Sequence, residues 1–276
     1  MKEILEELKK LSRDCNKLTK LLNSYSKLME KPVDNVYLRE KKIAEISKLF
    51  AEIPDSQLKA DLKTWYSNEN KEQQKHKDDF KFEFGEKLKE MFKKDNIAVR
   101  GQYPKLRIAI FTLVINFEFG EAELFFGPEV EKIKGKIPLQ PQSVYEAVKK
   151  YHNTLIPKKF DGQEFYNGLL TAYKKRLAYA GKNMGDKMLI VDVLHGYVLL
   201  QQPEKFFEDP RKEHFREYPR NTLSYMFYLL RKSGIADKGI RFYVATFDAT
   251  TERKSALWVP DNDEGDGTYY SYISFL

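Results

Sequence analysis

Residues 1–30 carry a heptad pattern, and this pattern constrains the fold of the chain more than any other feature. The apolar positions follow one another at alternating intervals of 4 and 3 residues, and they are Ile4, Leu8, Leu11, Cys15, Leu18, Leu22, Tyr25 and Met29. We call these positions the seam. Such intervals over about four heptads are those of a left-handed coiled coil. The seam therefore predicts a helix that ends at Pro32 and buries one face against another helix.

Two further helices are predicted in the same part of the chain. One spans residues 35–53 with Asp34 as its N-cap, and the short linker predicts that it folds back antiparallel to the first helix. The other spans residues 56–94. It would be about 58 Å long if unbroken, but the polar stretch 67–79 leaves a break open. Residues 1–99 are thus predicted to form a helical, coiled-coil-like arm.

The heptad pattern predicts what this arm does without identifying its partner. A seam of this kind serves self-association or docking onto another protein, and the alternative is a helical subdomain packed on the rest of the chain. If the arm binds a partner, the contacts come from the seam. The predicted interface residues are Ile4, Leu8, Leu11, Leu18, Leu22 and Tyr25.

Residues 100–276 predict an α+β domain with a mainly antiparallel sheet. LRIAIFTLVINFEF, residues 106–119, predicts one central strand, and the turn at Gly120-Glu121 joins it to a second strand in a hairpin. Helices follow, and their predicted N-caps or ranges are Ser143, Asp161, Asp186 and residues 220–234.

The end of the chain predicts three antiparallel strands. RFYVATF and SALWVP flank a polar tip in residues 241–260, which predicts a hairpin. The dipeptide Asp266-Gly267 predicts a second turn before TYYSYISFL. These strands are expected to join the hairpin of residues 106–126 in one sheet.

The charge balance bears on binding to nucleic acid. The chain has 48 Lys and Arg against 41 Asp and Glu, so its net charge is +7. This excess is compatible with contact to DNA or RNA phosphates without requiring it. The residues predicted to make such contacts are Arg220, Arg231, Lys232, Arg241, Arg253 and Lys254. The order of helix, strand, basic tip and strand in this segment also matches a winged helix, although the helix body LSYMFYLL is apolar for a helix that reads bases.

Catalysis is not favoured by the sequence. The motifs for phosphate, dinucleotide or zinc binding are missing, so we predict no catalytic residue, no metal ligand and no cofactor. One alternative is a metal-dependent nuclease whose acids lie far apart in sequence, namely Glu118, Glu121, Glu123 and Asp248. Asp192 and His195, one helical turn apart, are interpreted as a buried polar contact rather than an acid/base pair. The acidic segment 261–267 departs from the EF-hand pattern and predicts a solvated turn.

Compartment and function follow from these observations. The single cysteine, Cys15, rules out a disulfide within the chain, and no stretch approaches the roughly 18 apolar residues of a membrane span. We therefore expect a soluble cytoplasmic protein without membrane contact. The leading hypothesis is a non-enzymatic subunit of a protein or protein–nucleic-acid assembly. Its arm would bind a partner or a second copy, and its α+β domain would present a basic and aromatic surface.

Overall fold

The computed structural model describes residues 1–155, 160–251 and 255–276. It has long N-terminal helices followed by sheets and further helices, so the predicted α+β class is confirmed. The chain divides into two compact units. The first contains residues 1–99, 115–123 and 136–147, and the second contains residues 100–114, 124–135 and 148–276. Within the described residues, no helix is long and apolar enough to cross a membrane.

Three α-helices and one short 3₁₀ turn make up most of the first unit. They are α1 (Lys2–Leu28), α2 (Val36–Ser47), the 3₁₀ turn Phe50–Glu52 and α3 (Gln57–Lys93). The polar stretch 67–79 stays helical, so α3 is unbroken and about 55 Å long at 1.5 Å per residue. The predicted N-cap of α2 is wrong, because Asn35 occupies that position and Asp34 instead pairs with Lys87 at 2.7 Å.

A five-stranded sheet has the simple order β1-β2-β3-β4-β5. Its strands are β1 (Val99–Gln102), β2 (Lys105–Ile108), β3 (Phe111–Asn116), β4 (Glu121–Phe126) and β5 (Glu131–Pro138). The single strand predicted over residues 106–119 is wrong, because the chain reverses at Ala109 and Ile110 so that Ile108 pairs with Phe111. Ala109 takes a positive φ of 50° in this tight turn. The predicted hairpin between the next two strands, β3 and β4, is confirmed.

The remaining helices follow the sheet. They are α4 (Pro141–Leu155), α5 (Gly162–Ala180), α6 (Ile190–Leu200), α7 (Glu204–Glu208), α8 (Arg220–Lys232) and α9 (Phe247–Thr251). Asp161 caps α5 as predicted, since its carboxylate accepts the backbone N–H groups of Gln163 and Glu164. Ser143 does not cap α4, which begins two residues earlier at a proline suited to a first helical position. Asp186 does not cap α6, because a short strand precedes that helix.

A second sheet is built around the last strand of the chain. Its strands are β6 (Met188–Leu189), β7 (Ile240–Val244), β8 (Leu257–Pro260) and β9 (Gly267–Phe275). Strands β6, β7 and β8 each pair antiparallel with β9. The hairpin predicted over residues 241–260 is therefore wrong, since β7 and β8 share β9 as partner and α9 lies between them. The expectation of one common sheet is also wrong, because the two sheets are separate.

Trp258 on β8 fixes the packing in the second unit. Its ring is buried and contacts Phe126 edge to face, with 5.0 Å between ring centroids. Gly267 on β9 lies so close that a Cβ at this position would be 2.4 Å from the indole ring. The glycine of the predicted Asp266-Gly267 turn is thus required by a close approach to tryptophan.

Candidate functional site

The two ends of the seam on α1 have opposite environments. Every residue from 1 to 10 is exposed, and the side chains of Ile4, Leu5 and Leu8 are between 50% and 62% exposed. Leu18 and Tyr25, further along the same seam, are each only 5% exposed. Of the other predicted interface residues, Leu11 and Leu22 are half-buried. The N-terminal part of the seam is therefore open, while the C-terminal part is covered.

The covered part packs against the chain's own helices. Leu18 and Tyr25 belong to one apolar cluster with residues of α2 and the first turns of α3, including Ile43, Ile46 and Leu62. The Tyr25 ring also contacts Trp65 edge to face, with centroids 5.2 Å apart. Because these contacts already bury Leu18 and Tyr25, neither side chain is accessible to a partner in this structure.

A buried polar network lies next to this cluster and centres on Arg39 of α2. The guanidinium is fully buried and donates hydrogen bonds to the Tyr25 hydroxyl at 3.1 and 3.2 Å and to the Pro32 carbonyl at 3.0 Å. It also lies 2.8 Å from Nδ1 of His76 and 3.0 Å from a carboxylate oxygen of Glu69. Since buried charges are stable only when paired and hydrogen-bonded, this network ties α1, α2 and α3 together.

The protonation states in the network follow from its geometry. A guanidinium can only donate, so Nδ1 of His76 accepts and the ring proton lies on Nε2. The Tyr25 hydroxyl donates to Glu69. Burial raises the pKa of Tyr25 to about 12, and the bond to Glu69 adds to this effect while Arg39 opposes it. Tyr25 is consequently neutral across the physiological pH range.

Two of the predicted nucleic-acid contacts are occupied by carboxylates of the same chain. Residues 261–266, which we call the acidic loop, follow β8. Asp261 accepts from Arg231 at 2.8 Å, and Asp263 accepts from Lys232 at 2.7 Å. The hydrogen bond to Asp263 raises the pKa of the Lys232 ammonium. The acidic loop thus neutralises the basic C-terminus of α8.

The other predicted contacts have varied surroundings. Arg220 at the start of α8 donates to the Ala256 carbonyl, and Arg241 on β7 is exposed. Arg253 and Lys254 lie outside the described residues. Of the described cations in this set, Arg231 and Lys232 are paired with carboxylates, Arg220 is bonded to the backbone and Arg241 is exposed.

The winged-helix alternative loses both features on which it depends. The body of α8 is buried at seven positions, which are Leu223, Ser224, Tyr225, Met226, Phe227, Tyr228 and Leu230. A helix buried to this extent has no free face for base edges. Among the described residues, β7 and β8 each pair with β9 and not with each other, so they do not form the hairpin that a wing requires.

The acids considered for catalysis do not form a metal site. Within the described part of the chain, no three His, Cys, Asp or Glu side chains are placed to hold a metal ion. Asp248 lies in α9, and Asp192 pairs with Arg176 at 3.1 Å instead of His195. The interpretation of Asp192 and His195 as a buried polar contact is also wrong, because His195 is exposed.

One cavity of the second unit was not predicted from the sequence. It has a volume of about 240 Å³ and lies where the first turns of α5 and α8 meet α6 and the segment before α8. Four aromatic side chains line it, and we call them the aromatic cage: Phe160, Phe165, Tyr197 and Tyr218. These residues lie far apart in the sequence, from position 160 to position 218, so no local motif could have revealed the cavity.

Comparisons with protein-family models, with curated proteins and with solved structures found no match for this chain. The class of protein is therefore defined by the fold alone, which is α+β with a three-helix N-terminal region.

Proposed function

We propose that this protein is a non-enzymatic subunit of a cytoplasmic assembly and that the N-terminal part of α1 binds a second copy of the chain. The proposal rests on the exposure of Ile4 and Leu8, which continue the seam that is buried further along the helix, and of Leu5 beside them. A surface of clustered aliphatic side chains on a regular helix is suited to pair with another helix.

The charges beside the exposed seam favour an antiparallel pair. When Leu8 faces Leu8 of the second copy, residues equidistant from it face each other. Glu7 then lies opposite Lys9. In the parallel arrangement like charges would face each other instead. Opposite charges on neighbouring helices set partner choice and orientation, so this pattern supports a second copy as the occupant.

The small size of the exposed surface limits the expected affinity of the dimer. Lys10 pairs with Glu52 of its own chain at 2.6 Å, so the open part of the seam ends near this residue. Each aliphatic side chain contributes about 1.5–3 kcal/mol when fully buried, and association costs at least about 4 kcal/mol. Because these side chains are already partly buried in the monomer, we expect a weak, reversible dimer with a dissociation constant of about 100 μM or higher.

Sedimentation velocity at protein concentrations from well below to well above this dissociation constant tests the proposal. The wild type should show a concentration-dependent monomer–dimer equilibrium, and Leu8→Asp should be monomeric throughout. Asn16→Asp introduces the same charge on the exposed side of α1 and is the matched control, which should dimerise like the wild type. A wild type that stays monomeric, or a Leu8→Asp variant that still dimerises, contradicts the proposal.

The orientation has a separate test. Glu7→Lys and Lys9→Glu should each weaken the dimer, because each places like charges opposite each other. Mixing the two variants should restore dimers that contain one chain of each kind. If the mixture behaves as the average of its components, the antiparallel arrangement is wrong even where dimerisation persists.

A second proposal is that the second unit contacts nucleic-acid phosphates. It is supported by the net charge of +7 and by Arg231 and Lys232, which lie side by side at the end of α8. Removing the competing carboxylates with Asp261→Asn and Asp263→Asn should tighten binding to a DNA or RNA oligonucleotide. The slope of the logarithm of the binding constant against the logarithm of the salt concentration should steepen by up to about 0.9 per additional phosphate contact.

The control for this second proposal is Glu204→Gln with Glu208→Gln, which removes the same number of charges from the exposed α7. If both double variants change the affinity equally, the effect is one of net charge alone. If no oligonucleotide binds either variant or the wild type, phosphate contact is not a function of this surface.

A further inference from the structure

The aromatic cage forms an unbroken series of ring contacts around the cavity. Phe160 meets Phe165 with centroids 5.9 Å apart, Phe165 meets Tyr197 at 5.0 Å, and Tyr197 meets Tyr218 at 6.1 Å, all edge to face. Neighbouring rings are therefore turned steeply to one another, and all four belong to the lining of the cavity. Aromatic faces carry negative potential and attract cations that are too large and too weakly hydrated to prefer water.

The charged residues that line the cavity reinforce this preference. Three carboxylates belong to its lining, those of Asp161, Glu164 and Glu217, against the single guanidinium of Arg216. The cavity is thus acidic although the chain is basic overall. Its carboxylates do not converge tightly enough to form a metal site within the described residues. A diffuse negative charge of this kind suits a bulky organic cation better than a small metal ion.

Tyr197 contributes a buried ring and a neutral polar group to the lining of the cavity. The residue is 5% exposed and lines the cavity. Burial raises the pKa of Tyr197, which keeps the hydroxyl neutral at physiological pH.

From the aromatic lining and the acidic charge of the cavity we propose that the aromatic cage binds a methylated ammonium group. The cavity of about 240 Å³ is smaller than the sites of drug-sized ligands, so it takes a trimethylammonium head with a short chain. That chemistry occurs both in free choline-like molecules and in methylated lysine side chains of peptides. The cage binds the head group, and the carboxylates at Glu164 and Glu217 attract it over longer distance.

Arg216 competes with the ligand for one wall of the cage. Its guanidinium lies over the Tyr218 ring, 5.3 Å from the centroid. This contact shows that the Tyr218 ring accepts a cation. Removing the guanidinium frees that face and also makes the cavity more acidic. Arg216→Gln should therefore bind the cation about 2- to 5-fold more tightly, as expected for one exposed cation–π contact.

Binding is tested on the full chain by NMR and calorimetry with choline and with its neutral isostere 3,3-dimethyl-1-butanol. Choline should bind, and its methyl protons should shift upfield because they lie against aromatic rings. The isostere has the same shape without the charge and should bind at least about ten-fold more weakly. A short peptide with trimethyl-lysine, compared with the unmethylated peptide, separates a peptide ligand from a free one.

The variants locate the site. Tyr218→Leu keeps an apolar wall but removes the aromatic face, and should lower choline affinity about 5-fold or more. Glu164→Gln with Glu217→Gln should lower it about 3- to 10-fold through loss of charge attraction. Glu204→Gln with Glu208→Gln, outside the cavity, is the matched control and should leave the affinity unchanged.

Clear outcomes would overturn the proposal. The aromatic cage is not a cation site if choline does not bind the folded wild type at millimolar concentration, or if the neutral isostere binds equally well. The same conclusion follows if the carboxylate pair and its control have equal effects. Should Tyr218→Leu fail to fold, the carboxylate pair and Arg216→Gln still decide the question, since both act at exposed positions.

Discussion

Replacing Arg39 with leucine is the most severe single perturbation that the structure predicts for the N-terminal helices. The arginine is completely buried, and its guanidinium satisfies Tyr25, Glu69, His76 and the carbonyl of Pro32. Leucine fills part of the space but donates no hydrogen bond. The Glu69 carboxylate, whose side chain is only 13% exposed, then remains as a poorly solvated charge without its cation.

The expected magnitude follows from that unpaired charge. Removing one partner of a buried ion pair costs about 3–5 kcal/mol, whereas replacing both partners with apolar residues is often nearly neutral. Glu69 retains some contact with water, which places Arg39→Leu toward the lower end of this range. We therefore expect Arg39→Leu to lower the free energy of unfolding by about 3 kcal/mol. The decrease should be smaller when Arg39→Leu is combined with Glu69→Leu.

Urea denaturation followed by circular dichroism measures the decrease in the free energy of unfolding. Hydrogen exchange with mass spectrometry shows which helices are destabilised. Peptides from α1, α2 and the first half of α3 should exchange faster in Arg39→Leu, because the network joins these helices. Peptides from β7 and β9 should be unchanged and are the internal control. Arg39→Lys keeps the charge but loses the forked geometry, so it should be intermediate.

Two results would refute the reasoning. If Arg39→Leu costs less than about 1 kcal/mol, the network is no stronger than a surface ion pair. If the double variant with Glu69→Leu is less stable than Arg39→Leu alone, the unpaired carboxylate is not the source of the loss. Either result would assign the stability of these helices to the apolar cluster around Leu18 instead.

Three further predictions concern the second unit. Gly267→Ala should lower the free energy of unfolding by about 1–3 kcal/mol, measured by urea denaturation, because its Cβ would collide with Trp258. Asp161→Ala should cost about 0.5–2 kcal/mol in the same assay through loss of the α5 cap. Burial lowers the pKa of His152 in the folded chain, so the unfolded chain takes up the proton first. Stability should therefore fall as the pH drops below about 6.5, and His152→Phe should flatten that part of the stability curve.

The helices of the chain were largely predictable because their signals are local. The seam located α1, Asp161 marked the start of α5 as its N-cap, and Gly234 marked the end of α8 with a positive φ of 72°. An N-cap or a glycine C-cap acts within one turn, so its effect is visible in a few residues. The errors at Asp34 and Ser143 arose where a cap-like residue lay one or two positions from the true boundary.

The strands were less predictable because their partners are distant. Residues 106–119 alternate without interruption, since the residues of a two-residue turn can be as apolar as the strands beside it. The pairing of β7 and β8 with β9 was missed for a related reason. A polar segment between two apolar runs predicts that the two runs pair with each other in a hairpin. Here the final strand, β9, pairs with both β7 and β8, so these two strands do not pair with each other. Strand choice depends on the whole sheet rather than on the turn.

The charged groups at the candidate surfaces could be listed from the sequence but not paired. The acidic loop is as visible as Arg231 and Lys232, yet nothing local shows that they neutralise each other. Similarly, Arg39 and Glu69 lie 30 positions apart on different helices. Long-range electrostatic partners are set by tertiary packing, and they decide which charges remain free for a ligand.

The buried network around Arg39 also bears on why the seam stays open at its N-terminus. Sliding α1 by one heptad against α2 would cover more of the exposed side chains, but it would move Tyr25 about 10 Å along the helix axis. Arg39 and Glu69 would then lose their shared partner, at a cost comparable to the gain from burying Leu8. We infer that the network fixes the register and so keeps Ile4 and Leu8 free. An Arg39→Leu, Glu69→Leu variant, which relaxes that register, should dimerise more weakly than the wild type although it changes no residue of the exposed seam.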